Sequence, residues 1–479
     1  FSEMTSAVNL TMTKRGVNAA TANSGENSVR VSGTKVDDIH LSSWSDTLYV
    51  TSFPDWKTTV TDAGGEDDYN IRTGRATVQG TLGTLEIRET GSDFDEIIFD
   101  QQRARSEVDG LVLGRGTVSN GREHVTYTHG DIERLTIKGK GADFDADGIT
   151  SFGADVRFKA ADNVIRIDLG ATELRAIGRT IWQDSELMAG GVIFESISSI
   201  RIAHDITLLN NGAMDLRTYG DRSDIILQAN ITSSNDLTQN DQGASWIRLQ
   251  SADGALINEN ASMVDGHKIA GKDAYLMVKV KDSIGSMALP ILTRVAEMTL
   301  ATSSLGDGDI VIVEDDDLTL IEEKQINHYE NPGYVVDTTP ETGQWELEQD
   351  WVTSTDTGVS DWLDLIQKNR QNVRSDVAVE VSKGNLQIDL LGIDALLRLD
   401  SGFVRVLEDG AFIKLTTDDI DLYSGASKLV GAGLLTLRTQ QETSNYYLGT
   451  SAEDVFGQDW PEDGAVVQGA LPGFYMSSL

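Results

Sequence analysis

The sequence predicts an all-β chain built as a β-solenoid, interrupted by an inserted irregular and partly helical segment; a string of tandem β-sandwich domains is the competing architecture. Two observations carry this. Short apolar bursts of period two recur throughout, and glycine is abundant at 46 residues while proline numbers only 6. Cysteine is absent, which excludes disulfides and Cys-based metal or redox sites. Glycine suits tight corners, and scarce proline suits backbone N–H groups that join inter-strand ladders.

Along the chain, residues 1–130 read as irregular solenoid coils, with bursts such as "DDIHLSS", "DTLYVTS" and "TLEIRET". Residues 131–320 read as the regular part. There Ile206, Ile225, Ile247, Leu276, Met298 and Leu318 open every second burst, at steps of 19, 22, 29, 22 and 20 residues. A unit of this length with two or more short strands matches one solenoid coil. One coil cannot bury its Ile and Leu side chains alone, whereas stacked coils form a continuous interior. Alternation leaves Thr207, Arg217, Gln228 and Arg248 on the outward side. Sandwich domains also show short strands, but hairpin dipeptides are few and no linker breaks the composition.

Residues 321–375 lose the rhythm. Trp345, Trp351 and Trp362 lie here, and "VSDWLDLIQKNRQ" has the apolar spacing of a short amphipathic helix. The segment reads as a loop covering one side of the solenoid, or as an interface offering its tryptophans to a sugar or another subunit. The rhythm returns over 376–479, where Ile388, Leu397, Val406, Leu415, Leu422, Leu429 and Leu437 follow at seven to nine residues.

Charge restricts the partners. With 76 acidic against 39 basic residues, the formal charge is −37, which repels nucleic acid and anionic membranes. No apolar run reaches the roughly 18 residues of a membrane-spanning helix. The start "FSEMTSAVNL" carries neither an initiator Met nor a signal-like segment and reads as a processed or partial product.

The segment "KVKDSIGSMALPILTRVAEMTLATSSLGDGDIVIVEDDDLTLIEE" (279–323) resembles the repeats of filamentous-haemagglutinin-like giant surface proteins. Ile284, Gly285, Pro290, Leu292, Val295, Leu300, Gly308, Asp309, Ile310, Leu318 and Leu320 carry the likeness. "YYLGTSAEDVFG" (446–457) is similar to a motif late in such arrays. The resemblance implies a right-handed parallel β-helix at the cell surface, acting as an adhesin, fibre or matrix scaffold. Self-association into a filament or array, and binding of cell-surface glycans, are the partners expected.

Site chemistry is sparse. "DFDADG" places Asp143, Asp145 and Asp147 before Gly148, like the opening of a calcium loop; Ala154 stands where an EF-hand would carry Glu. A solvated acidic turn is the plainer reading, and calcium is the only cofactor the sequence suggests. Asn9, Asn230 and Asn260 begin Asn-x-Ser/Thr sequons, a weak sign of glycosylation. No nucleophile elbow, phosphate loop or metalloprotease motif occurs, so no catalytic residues are expected. The enzyme alternative is a polysaccharide lyase or glycoside hydrolase on the same fold, for which Asp205, Asp215, Asp224 and Arg217 are the nominees. A viral tail-spike or receptor-binding protein is the third reading.

Overall fold

The bursts form strands because successive side chains leave a β-strand on opposite faces. In Leu386–Leu390, Leu386, Ile388 and Leu390 are buried while Gln387 and Asp389 are only half-buried. Thr47–Val50 and Gly83–Arg88 alternate in the same way. The structure is a computed structural model. It describes residues between 8 and 478; stretches 22–27, 73–82, 101–110, 234–245, 260–267, 327–335, 338–376, 440–445 and 450–465, residues 1–7, and several shorter stretches lie outside the description. Among the described residues the chain is all-β, without a helix, in long and mostly parallel sheets. Sandwich strands would pair antiparallel.

The chain packs as two compact units. One comprises Phe1–Ile197, Ala203–Gly212 and Asp350–Ser354; the other comprises Ser198–Ile202, Ala213–Gln349 and Thr355–Leu479. The division falls inside the 131–320 segment, where composition does not change.

In the first unit, one parallel ladder runs through Val8–Thr13, Thr47–Val50, Asp68–Arg72, Glu96–Asp100, Arg134–Lys138, Glu173–Gly178 and Gly191–Ser196. Its register stacks Leu10, Leu48, Tyr69, Ile97, Leu135, Leu174 and Val192, all fully buried. Each such side chain contributes roughly 1.5–3 kcal/mol by leaving water. A second ladder joins Asp38–His40, Lys57–Thr61, Gly83–Arg88 and Glu123–Tyr127 in parallel. There the chain reverses through Thr117–Ser119 and Leu111–Gly114 before parallel pairing resumes with Val156–Ala160 and Ile181–Gln183. On the free side of Val8–Thr13 lie the antiparallel strands Gly16–Thr21 and Ser28–Ser32.

The second unit has three ladders. One holds Ile200–Ile202, Ile225–Leu227 and Leu256–Asn258, continues through bridges at Ile284, and ends with Ile310–Glu314, Leu386–Leu390, Phe412–Thr416 and Leu434–Arg438. Lys268–Val280 pairs with Ile231–Ser233 through its first part and with Trp246–Ser251 through its second, and it runs beside Ile291–Thr302 with a register shift between Gly271 and Tyr275. Ile291–Thr293 then meets Ile312–Glu314, while two further ladders leave from Glu297 and Met298 and from Leu300 and Ala301. Those two ladders continue through Leu318–Leu320, Leu396–Leu399 and Asp419–Leu422, and through Val377–Val381, Phe403–Val406 and Lys428–Gly431. Leu300 pairs with Val379, so the ladder resumes beyond the segment where the sequence loses its rhythm.

The register agrees with the coil series in part. Ile247 pairs with Leu276 and Leu276 with Met298, at 29 and 22 residues, and Leu187 pairs with Ile206 at 19, but Ile225 pairs with Leu256 and Met298 with Leu320. The series therefore changes ladder at some of its steps. Ile388 pairs with Leu415, so three successive bursts separate one rung from the next.

The outward side is also less open than alternation suggests. Thr207 and Gln228 are half-buried, and Met214–Thr218 is buried on both faces, Arg217 included. Nearby, Ala213, Trp246, Tyr275, Met277 and Ile321 form a buried apolar cluster. Its Tyr275 hydroxyl donates to Thr299 Oγ1 at 2.8 Å, and the Thr299 hydroxyl donates to the Ile321 carbonyl at 2.7 Å.

Candidate functional site

The densest unusual chemistry is a buried acidic corner in the first unit. The phrases "SDTLYV", "EDDYNI", "DFDEII" and "DIERLT" each put a carboxylate just ahead of a strand of the first ladder: Asp46, Asp67, Asp95 and Glu133. These acids form a directional row. Asp67 Oδ1 accepts the Asp46 N–H at 2.6 Å, Asp95 Oδ1 that of Asp67 at 2.9 Å, and Glu133 Oε2 that of Asp95 at 2.8 Å. Each carboxylate thus satisfies the corner backbone of the preceding rung.

A second file leaves the ends of the neighbouring ladder's strands. The register brings Asp62, after Lys57–Thr61, beside Glu89, after Gly83–Arg88. Oxygens of Asp46, Asp62 and Asp67 lie within 4.8 Å of one another, as do oxygens of Asp67, Glu89 and Asp95. The two triads repeat one arrangement one rung apart and share Asp67. Asp62, Asp67 and Glu89 are 2%, 1% and 5% exposed, so they are shielded from solvent.

Backbone and hydroxyl donors orient these acids. Ser42 gives its N–H and hydroxyl to Asp46 Oδ2 at 2.7 and 2.9 Å, and the Gly64 N–H donates to Asp62 Oδ2. The Tyr69 hydroxyl donates to Glu89 Oε1. Gly65 sits at φ +116°, and a Cβ there would lie 2.5 Å from the Trp44 carbonyl carbon, so only glycine fits this turn. Asp67 Oδ2 and Glu89 Oε2 remain buried without a hydrogen-bond donor among the described residues.

Burial, assisted by the Asp62 and Glu89 carboxylates, pushes the Asp67 carboxyl up to about 10 against the pull of the Asp46 N–H. Burial likewise raises Glu89 to about 8, against its hydrogen bond from Tyr69. Both are raised, so the folded chain keeps protons that the unfolded chain has released above about pH 4. Their stabilising contribution is complete below that pH and is lost as pH rises through 8 and then 10. With chelator present, the first unit's melting midpoint is expected to fall by several degrees or more between mildly acidic and alkaline buffer. Asp67→Asn should flatten that slope; equal slopes in the two proteins would contradict the assignment.

The residues singled out from sequence fall elsewhere. Asp143 and Asp145 lie on Ala142–Asp145, paired antiparallel with Gly148–Phe152; Asp143 faces Ser151, and Asp145 faces Gly148. The backbone there is a hairpin, and Asp147 lies outside the described residues. Trp345, Trp351, Trp362 and Asn260 also lie outside them. Asn9 is on the first described strand, and Asn230 is half-buried.

Of the enzyme nominees, Asp205 is exposed in the first unit. In the second, Asp224 Oδ1 accepts the Ala255 N–H at 2.8 Å, the contact of a turn. Asp215 is fully buried between Arg217 and Arg248, with Nε–Oδ1 distances of 3.0 Å from each. That arrangement neutralises the carboxylate and withholds it from solvent.

Comparison with protein-family models, curated proteins and solved structures finds no match. The acidic corner therefore rests on its own chemistry. Its donors are all oxygen and its charge is concentrated, a combination suited to a hard divalent cation and unsuited to soft metals.

Proposed function

We propose that this chain is a structural or adhesive cell-surface protein whose ladders close into right-handed β-solenoids. The observation that carries the reading is the stacking of like on like, as in the seven buried apolar positions from Leu10 to Val192. Parallel pairing requires a crossover between strands, and such crossovers are right-handed in the great majority of sheets. A repeat scaffold is stabilised rung by rung and offers an extended surface, the geometry of adhesion and display. The charge of −37 suits an exposed, soluble surface and opposes binding to nucleic acid. The Asp215 ion pairs support a structural role for the residues nominated as catalytic.

Self-association into a filament or array belongs to this reading, with one constraint. Gly16–Thr21 occupies the free side of Val8–Thr13 and Ser28–Ser32 lies outside it, so a strand arriving there would meet these antiparallel strands and not the parallel ladder itself. No helix among the described residues is long and apolar enough to cross a membrane.

Electron cryo-microscopy of the purified chain is expected to show, within each unit, coils of parallel strands stacked about 4.8 Å apart. Incubation with uronate and neutral polysaccharides should release no shortened sugars. Antiparallel sheets packed face to face within the units would overturn the solenoid, and turnover of any polysaccharide would overturn the structural role.

A further inference from the structure

We propose that the acidic corner of the first unit is a calcium site, with Asp62, Asp67 and Glu89 as its central ligands and Asp46 and Asp95 completing two triads that share Asp67. The inference goes beyond the scaffold reading and fails or survives independently of it. Three observations converge. Each triad presents three carboxylate oxygens within 4.8 Å of one another, close enough for one ion to touch all three. Oδ2 of Asp67 and Oε2 of Glu89 are buried and find no donor among the described residues, although both side chains are at least nine-tenths buried. The arrangement also occurs twice in register, which scattered turn acids would not produce.

A buried carboxylate oxygen with no donor is costly, and a cation is the natural partner for several at once. The corner favours calcium over magnesium. Magnesium demands near-octahedral geometry and parts reluctantly with its waters, while calcium accepts irregular carboxylate sets. Asp67 would bridge the triads, so a calcium ion there would tie successive rungs across the corner. Ser42, Gly64 and Tyr69 would act as positioning residues, because they hold the Asp46, Asp62 and Glu89 carboxylates in place.

The test uses the full chain stripped of metal with chelator. Calorimetric titration with calcium chloride should show binding, and calcium should raise the melting midpoint more than an equal concentration of magnesium. Asp67→Asn should weaken binding about tenfold or more, since even a ligand's supporting partners are worth that much. Without metal, this variant should melt close to the wild type, because the amide keeps the shape of the carboxyl and its acceptor for the Asp46 N–H. Glu89→Gln provides the same readout if Asp67→Asn fails to fold. Asp316→Asn, at an exposed corner of the second unit, should respond to calcium as the wild type does. Terbium should give tyrosine-excited emission that calcium displaces and Asp67→Asn diminishes. An unchanged wild-type midpoint with no binding heat would overturn the proposal, as would an undiminished response in Asp67→Asn. Loss of the response in Asp145→Asn alone would also overturn it by moving the ion to the hairpin.

Discussion

Replacing Asp215 by alanine is expected to destabilise the second unit by about 3–5 kcal/mol, the usual consequence of stripping one partner from a buried ion pair. Asp215 is fully buried, and the Arg217 and Arg248 side chains are only 5% and 12% exposed. In the Asp215→Ala variant both guanidinium groups would stay out of water with their shared carboxylate gone. Denaturant melts of wild type and variant measure the loss. The Arg398–Asp421 pair, at 3.2 Å and partly solvated, is the reference, and Arg398→Ala should cost less than about 1 kcal/mol. Apolar replacement of Asp215, Arg217 and Arg248 together should recover most of the stability, because no charge is then left buried. A cost below 1 kcal/mol for Asp215→Ala would show that solvent reaches these groups.

The other large effect belongs to Gly190. A Cβ at this position would lie 1.9 Å from the carbonyl oxygen of Ala171, where two stretches of backbone pass almost in contact. The Gly190 N–H also donates to the Thr172 carbonyl at 3.0 Å, so the chain cannot move aside without loosening the rung. Gly190→Ala should therefore destabilise the first unit by about 3 kcal/mol, the upper part of the range for overpacking. Gly114→Ala is the contrasting case, because its Cβ would meet only the Thr117 side-chain hydroxyl, at 3.0 Å. It should stay within about 1 kcal/mol of wild type. Similar melts for the two variants would mean that the close approach at Gly190 relaxes easily.

Much of the fold was legible because strands declare themselves locally. Period two marked Thr47–Val50, Ile206–Leu208 and Leu386–Leu390, and the loss of rhythm after Leu320 falls where the ladders await Val377–Val381. Which bursts share a ladder was not legible, since bursts from different ladders look alike. Ile225 and Ile247 read as one series yet pair with Leu256 and Leu276 in separate ladders. Outward Arg217 was read as solvated because period two says which face a residue takes and nothing about what covers that face.

The acidic corner escaped for a related reason. Asp46, Asp62, Asp67, Glu89 and Asp95 are spread along the chain, and each alone looks like a turn residue. The compact "DFDADG" drew notice because its acids are close in sequence. The usable signal was positional: an acid in the slot immediately before "TLYV", "DYNI", "EIIF" and "RLTI". Recurrence in one slot of a repeat means recurrence in space.

The row of acids also works as a gauge of chain length. From Asp62 to Asp67 is five residues and from Glu89 to Asp95 six, whereas Asp46, Asp67, Asp95 and Glu133 succeed one another at 21, 28 and 38. Extra residues have entered the long arcs between bends and have left the bend almost untouched. Insertions elsewhere in each circuit can therefore vary in size without disturbing the alignment of the carboxylates, and the bend itself absorbs a difference of one residue.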